Sequence, residues 1–210
     1  MSKKAVIKIG GSLIKEAAQL IEHIADNRNS FGKQIVFIPG GGIFANFIRE
    51  ADNRFNLDLD SSHWMAILAM EQYGYYLAGK TGIPTITALE DNKHQIAIFL
   101  PYSLLVENDP LPHSWDITSD TIAAFFAEME KAEFIKVTDV DGVLVHQQIV
   151  EEIDTTRLAS MGETCADLAF PGFLEKHKLD CFVLNGKIPD RLLEYIQEKK
   201  TIGTLIKGNI

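Results

Sequence analysis

Apolar positions along the chain follow two alternating rhythms. Short apolar runs read as strands: Ala5-Val6-Ile7-Lys8-Ile9 with Val6 and Ile9 in a buried layer, the β-branched and aromatic run Gln34-Ile35-Val36-Phe37-Ile38 covered on both faces, and Phe134-Ile135-Lys136-Val137 as another buried strand. Other residues recur at helical spacing: Leu13, Ala17, Leu20, Ile21 and Ile24, then Phe44, Phe47 and Ile48. Twice the order is strand, glycine loop, helix, through Gly10-Gly11-Ser12 and through Pro39-Gly40-Gly41-Gly42. That order is the grammar of parallel βαβ units and predicts an α/β fold.

The first helix is expected to begin at Leu13 and to end near Asn29-Ser30-Phe31-Gly32, with Gly32 as a left-handed cap. Asp60-Ser61-Ser62 offers N-caps for a long helix from about His63 to Lys80. Strands are expected at Thr85-Ile86-Thr87 and from Ile96 to Leu100, separated by a turn at Asp91-Asn92-Lys93. Pro101 to His113 reads as an irregular connection. Thr118-Ser119-Asp120 caps an apolar helix through Met129, and Asp141-Gly142 suggests a hairpin. Short helices at Thr155–Ala159 and Leu168–Lys178, a strand at Cys181–Leu184, a helix from Pro189 to about Lys199 and a strand at Gly203–Ile206 complete a single domain over 1–210.

Composition narrows the function. With 46% hydrophobic and 23% charged residues the chain is ordinary globular material, and its net charge of −9 lacks the basic face of a nucleic-acid binder. Lys3 and Lys4 precede an apolar run, but Lys8 and the glycines interrupt it too early for a signal peptide. No window approaches a membrane span, so the expected location is cytoplasmic, with no nucleic-acid or membrane partner. Cys165 and Cys181 read as buried thiols, and the six histidines show no metal-ligand spacing.

Chemistry gathers at the strand ends. Gly10 and Gly11 let backbone N–H groups approach a ligand, the following helix adds donors, and Lys8 adds a full charge, which together make an anion site. Gly40, Gly42 and Ala45 fit G-x-G-x-x-A, with Asp58 and Asp60 near the spacing of a ribose-binding acid, so a nicotinamide-dependent reductase is one alternative. The polar stretch from Asp52 to Leu57 weakens it, because that acid should end a second apolar strand. Neither a P-loop nor a nucleophile elbow occurs. Asp120, Asp139 and Asp141 are each readable as a helix or turn former, yet all fall where a doubly wound sheet places its ligands.

The ordered set Lys8-Ile9-Gly10-Gly11-Ser12, Pro39-Gly40-Gly41-Gly42, Thr118-Ser119-Asp120, Thr138-Asp139-Val140-Asp141-Gly142-Val143 and Gly203-Thr204 resembles the landmarks of the amino-acid kinase family. The resemblance implies a three-layer αβα sandwich with a mainly parallel central sheet, and transfer of the ATP γ-phosphoryl group to a phosphomonoester, giving a diphosphate. Ser62-His63-Trp64-Met65-Ala66 and Ser114-Trp115-Asp116 resemble the small archaeal branch, which implies an aminomethylfuran phosphate of methanofuran biosynthesis as acceptor. Uridylate or isopentenyl phosphate kinase activity, or a non-catalytic nucleotide sensor, are the other readings.

The resemblance further implies Lys8 and Asp120 as catalytic residues, with the Gly10 and Gly11 N–H groups holding the transferring phosphoryl. Ser12, Thr138, Asp139, Asp141, Gly142 and Val143 are expected at ATP, with Mg2+ as cofactor. Gly40, Gly41, Gly42, Ser62, His63 and Ser119 are expected at the phosphomonoester, Asp58 and Asp60 being candidates for its ammonium. Residues to about 115 form the acceptor side and those from about 116 the nucleotide side of a homo-oligomeric protein. One departure stands out: the segment Ser160–Asp167 has no counterpart of the family's second lysine, and neither Lys136 nor Lys187 is assigned to replace it.

Overall fold

The central strand, β1 (Lys4–Ile9), is buried almost throughout, and each alternate side chain packs a different helical layer. The computed structural model describes residues 3–90, 92–162 and 164–208, so Asp91 of the expected turn and Glu163 lie outside the described residues. A 3-10 turn at Gly11–Leu13 follows β1, then α1 (Ala17–Asp26), β2 (Gln34–Pro39), α2 (Gly42–Phe55) and the long α3 (Leu59–Thr81). The chain continues through β3 (Thr85–Ile86), β4 (Ile96–Phe99), α4 (Tyr102–Asn108), α5 (Ser119–Met129) and β5 (Glu133–Thr138). A small ribbon, β6 (Leu144–Val145) and β7 (Gln148–Ile149), precedes β8 (Glu152–Asp154), α6 (Thr155–Ser160), α7 (Phe170–His177), β9 (Cys181–Asn185), α8 (Pro189–Glu198) and β10 (Thr204–Lys207).

The main sheet has the order β3-β4-β2-β1-β5-β9-β10-β8. It is parallel from β3 to β9, and β10 then runs antiparallel to β9. Ala5, Ile7, Ile9, Ile35, Phe37, Ile135 and Val137 form one core with α1 and α8. Val6, Val36, Ile38, Phe134 and Val183 form the other with α5, α7 and Ile67 and Met70 of α3. Each large apolar side chain so buried is worth about 1.5–3 kcal/mol relative to exposure. The predicted three-layer α/β sandwich is the observed architecture.

Several boundaries differ from the sequence expectation. The first turn after Gly10 tightens into the i→i+3 pattern, with the Leu13 N–H donating to the Gly10 carbonyl, so α1 proper starts at Ala17. It ends at Asp26, where Asn27 donates its side-chain amide to the His23 carbonyl; Gly32 is no cap and a Cβ there would meet nothing within 4 Å. Asp58, not Asp60 to Ser62, caps α3, accepting from the Ser61 N–H at 2.8 Å. Pro101 is followed by a genuine helix, α4, because the Glu71 carboxylate accepts from the Tyr102 N–H. The ribbon turns at His146 and Gln147, both with positive φ as a tight hairpin needs, and not at Asp141-Gly142.

Candidate active site

Parallel pairing places Lys8 of β1 directly beside Lys136 of β5, on the face that carries Val6 and Phe134. Both side chains are buried, Lys8 being 6% and Lys136 1% exposed. Asp120, in the first turn of α5, lies over them: its Oδ1 accepts from Lys8 Nζ at 2.7 Å and from Lys136 Nζ. Burial alone would push the Asp120 carboxyl up, but Lys136 and Lys8 outweigh it and hold the group well below the usual carboxylate range. For Lys8, burial is the largest influence and Lys136 adds like-charge repulsion, so its pKa falls despite Asp120. Burial opposes Lys136 as well, yet the Asp120 charge prevails and raises it. Two cations share one anion, and the cluster keeps a net charge of about +1.

The glycine loops meet beside this cluster. A Cβ on Gly11 would lie 2.3 Å from the Gly42 nitrogen, so the loops pack backbone against backbone, and Gly42 has φ +54. The Gly10 N–H donates to the Val137 carbonyl at 2.8 Å and the Gly40 N–H to the Ile9 carbonyl at 2.8 Å. Gly10 therefore serves the sheet and is not the phosphate donor expected of it. Gly11 and the first turn of α2 supply the remaining donors.

Two cavities flank the loops. One, of about 510 Å3, is lined by Gly11, Ser12, Gly41, Gly42, Ser62, His63 and Ser119, together with Arg49 and Trp115. The other, of about 480 Å3, is lined by Thr138, Asp139, Gly142 and Val143, with Met161, Thr164 and Cys165 opposite. Ser12 was expected at the nucleotide, but it faces the first cavity and bridges to the second, its Oγ donating to Asp139 Oδ1 at 3.0 Å. Asp141 lines neither: it accepts from Asn185 Nδ2 at 2.9 Å and from Arg191, fastening its loop to β9 and α8. Gly142 passes so close to Thr204 that a Cβ would lie 2.4 Å from its Oγ1, and that hydroxyl accepts from the Val143 N–H at 2.8 Å. Cys165 is half-buried at the cavity wall, whereas Cys181 is buried as expected.

Three further side chains belong to the site and carry no motif in the sequence. Lys136 completes the charge cluster. Arg49 is the one charged side chain lining the first cavity among the described residues, its guanidinium 4.5 Å from the Trp115 ring centroid. Asp167 caps α5 in place of Thr118: its carboxylate accepts from the N–H groups and hydroxyls of both Thr118 and Thr121, at 2.7–3.1 Å. Lys187 stays outside, 3.8 Å from Asp139. Asp58 and Asp60 line neither cavity. Asp58 is occupied by Ser61, and Asp60 pairs with His113 Nδ1 at 2.6 Å. Where the reductase reading requires a second strand ending in an acid, α2 passes directly into α3 and Asp58 is a helix cap.

Comparison with known proteins agrees with this layout. The model of the amino acid kinase family matches residues 3–81 and 80–185. The chain is 34% identical, over 97% of its own length and 97% of the relative's, to the [5-(aminomethyl)furan-3-yl]methyl phosphate kinase of Methanocaldococcus jannaschii. The uridylate kinase of Archaeoglobus fulgidus superposes with a TM-score of 0.73 at 18% identity, covering 97% of this chain and 99% of that one. The UMP kinase of Bacillus anthracis also superposes at 0.73 and 18%, covering 99% and 97%. With the family model matching both segments and a relative 34% identical over nearly the whole chain, the chain belongs to the amino acid kinase family and is a phosphotransferase.

Proposed function

We propose that the protein transfers the γ-phosphoryl group of ATP to the phosphate of [5-(aminomethyl)furan-3-yl]methyl phosphate, forming the diphosphate and ADP. The single observation that carries the reading is the buried Lys8–Asp120–Lys136 cluster. None of the three lines a cavity, but Ser119 beside Asp120 lines the first and Thr138, at the end of the strand of Lys136, lines the second. The acceptor occupies the cavity lined by Gly41, Gly42, Arg49 and Ser119, and ATP the one lined by Thr138, Asp139, Gly142 and Val143. The relative named for this acceptor shares 34% of residues over nearly the whole chain, which supports the choice of substrate.

An oxygen of the acceptor phosphate attacks the γ-phosphorus while the bond to the β,γ-bridging oxygen breaks and ADP leaves. That acceptor oxygen is ionised near neutral pH (second pKa about 6), so no general base is needed. What the protein must supply is in-line positioning and positive charge. Lys8 and the Gly11 N–H stabilise the transferring group, and Arg49 with the α2 N-terminus holds the acceptor phosphate. Lys136 acts through Asp120. It shares Oδ1 of that carboxylate with Lys8, so the charge of Lys8 is only partly offset and can respond to phosphate.

No group of three or more His, Cys, Asp or Glu that could hold a metal occurs among the described residues. Among the described residues Asp139 is the lone carboxylate lining the second cavity. Such a donor set fits Mg2+ arriving with ATP: Asp139 would hold it from the protein side, and it would supply charge neutralisation there. The protein is taken as cytoplasmic and as a homo-oligomer; Phe47, Phe55 and Tyr75 on α2 and α3, each at least 60% exposed, support the second. No described helix is long and apolar enough to cross a membrane.

The test is an acceptor screen with Mg·ATP, comparing aminomethylfuran phosphate, UMP and isopentenyl phosphate by ADP release. Highest kcat/KM with the aminofuran supports the proposal. Preference for UMP or isopentenyl phosphate replaces the acceptor, and ATP binding without turnover on all three replaces catalysis by sensing.

A further inference from the structure

An aminomethyl acceptor brings a cation into a cavity whose described lining contains no carboxylate. Burying that ammonium without a partner is costly, so some other group must receive it. Asp60 and Asp109 are both held by His113, whose ring stacks on the cavity-lining His63: Nδ1 meets Asp60 at 2.6 Å and Nε2 meets Asp109 at 2.9 Å. An imidazole with a carboxylate on each ring nitrogen carries a proton on both and is cationic. The two carboxylates outweigh it, giving the trio a net charge of about −1.

His63 is stacked on that ring, with centroids 4.0 Å apart and planes 17° from parallel, and Trp64 meets both rings edge-on. It is 9% exposed and lines the acceptor cavity, and no hydrogen bond among the described residues engages its ring nitrogens. A second imidazolium cannot share that stack. Burial, reinforced by the like charge of His113, lowers the His63 pKa to about 4 against the weaker pull of Asp109 and Asp60. A neutral imidazole always keeps one unprotonated nitrogen, whichever tautomer it adopts. His63 thus offers a lone pair to the cavity, backed by a fixed negative trio.

We infer that His63 accepts a hydrogen bond from the ammonium of the acceptor, and is the residue by which the enzyme tells an aminomethyl phosphomonoester from an uncharged analogue. The inference rests on the acceptor reading above. Position agrees with it. His63 lies near the start of α3, which a three-residue link joins to the end of α2, and Gly42 opens the other end of α2. Both residues line the one cavity.

The experiment compares kcat/KM for aminomethylfuran phosphate and for its methylfuran phosphate analogue, in the wild type, His63→Leu and His63→Gln. Loss of a hydrogen bond to a charged group predicts that the ratio of kcat/KM for the amine to that for the methyl analogue falls by about 10- to 100-fold in His63→Leu. His63→Gln, which keeps a neutral acceptor, should recover part of the preference. Thermal unfolding of the Leu variant checks that the stack with His113 and Trp64 has not collapsed the fold. An amine preference that survives in His63→Leu overturns the inference and leaves the acceptor reading intact. A wild type with no turnover of the amine overturns both.

Discussion

Lys8 and Lys136 are exact neighbours across two parallel strands and share one oxygen of Asp120. Like charges facing each other on one side of a sheet repel. Here the repulsion is retained, because one carboxylate cannot neutralise two ammonium groups. That retained excess of positive charge suits the phosphoryl transfer proposed for the strand ends. It also makes the three side chains unequal under mutation.

Removing Lys8 leaves a balanced Asp120–Lys136 pair. Lys8→Ala should therefore keep the wild-type Tm within a few degrees while kcat falls by about 10^2- to 10^3-fold, the usual cost of one transition-state donor. Calorimetry and single-turnover kinetics together check this. Near-normal turnover would take Lys8 out of the mechanism.

Removing the charge of Asp120 does the opposite. Asp120→Asn leaves two buried lysines without a counter-ion, a loss of about 3–5 kcal/mol by analogy with other broken buried pairs. At about 2–4 °C per kcal/mol for a chain of this size, Tm should drop by roughly 6–20 °C. The sign with pH follows from proton counting. The unfolded lysines bind protons up to their ordinary pKa of 10.5, whereas folded Lys8 already lies below it. Folding of the variant therefore releases protons, and its stability should rise between pH 7 and 9. Wild-type Asp120, with its pKa depressed below 3.8, contributes stability that persists at neutral pH and is lost only as acid titrates the folded carboxyl. Melting curves of both proteins at pH 7, 8 and 9 should show the gap narrowing.

The strands, both glycine loops and Lys8 were readable because each is a local signal: an apolar run, a Gly pair, a lysine next to them. Lys136 repeats the Ile-Lys-apolar pattern of Lys8 in its own strand, but only strand register reveals that the two lie side by side. Asp167 was beyond reach for a similar reason, lying 46 residues from Thr121, whose N–H it caps. Arg49 had a usable signal: Gly42, Ala45, Asn46 and Arg49 fall at helical spacing on one face, and all four line the acceptor cavity. The Gly10 role failed because a glycine in a phosphate loop can instead complete the sheet, as its bond to Val137 does.

Asp167 joins the two cavities mechanically. Its own loop carries Thr164 and Cys165 at the nucleotide cavity, while its carboxylate fixes Thr118 and Thr121 at the start of the helix bearing Asp120. Asp167→Ala should cost more than an ordinary cap, about 2 kcal/mol or above, because four donors lose their partner at once. Amide exchange at Thr118 and Thr121 should speed up while that at the sheet centre, Ile7 and Ile135, keeps pace with global stability. Unchanged exchange at the helix start would show that another group caps it.

Glycine substitutions separate contact from flexibility. Gly11→Ala forces a Cβ to within 2.3 Å of the Gly42 nitrogen, so the two loops must part and turnover should fall steeply. Gly32→Ala meets nothing within 4 Å and carries an ordinary φ. It should leave kcat unchanged and stabilise by about 0.4–1 kcal/mol through the unfolded chain. Equal effects at the two positions would remove the loop–loop contact from the argument.

Arg49 supplies the sharpest division between the two substrates. It is the charged side chain of the acceptor cavity, held over Trp115, whose Nε1–H donates to Asp52 at 2.7 Å. Nothing places it near Asp139 or Gly142 at the other cavity. Arg49→Ala should raise the acceptor KM by about 10- to 100-fold, as expected for lost charge-assisted hydrogen bonds to phosphate, and leave the ATP KM unaltered. Arg49→Lys should recover only part, since an ammonium keeps the charge but loses the planar stack and the two-pronged contact. Initial rates with each substrate varied in turn decide it: a rise in the ATP KM instead would exchange the roles of the two cavities.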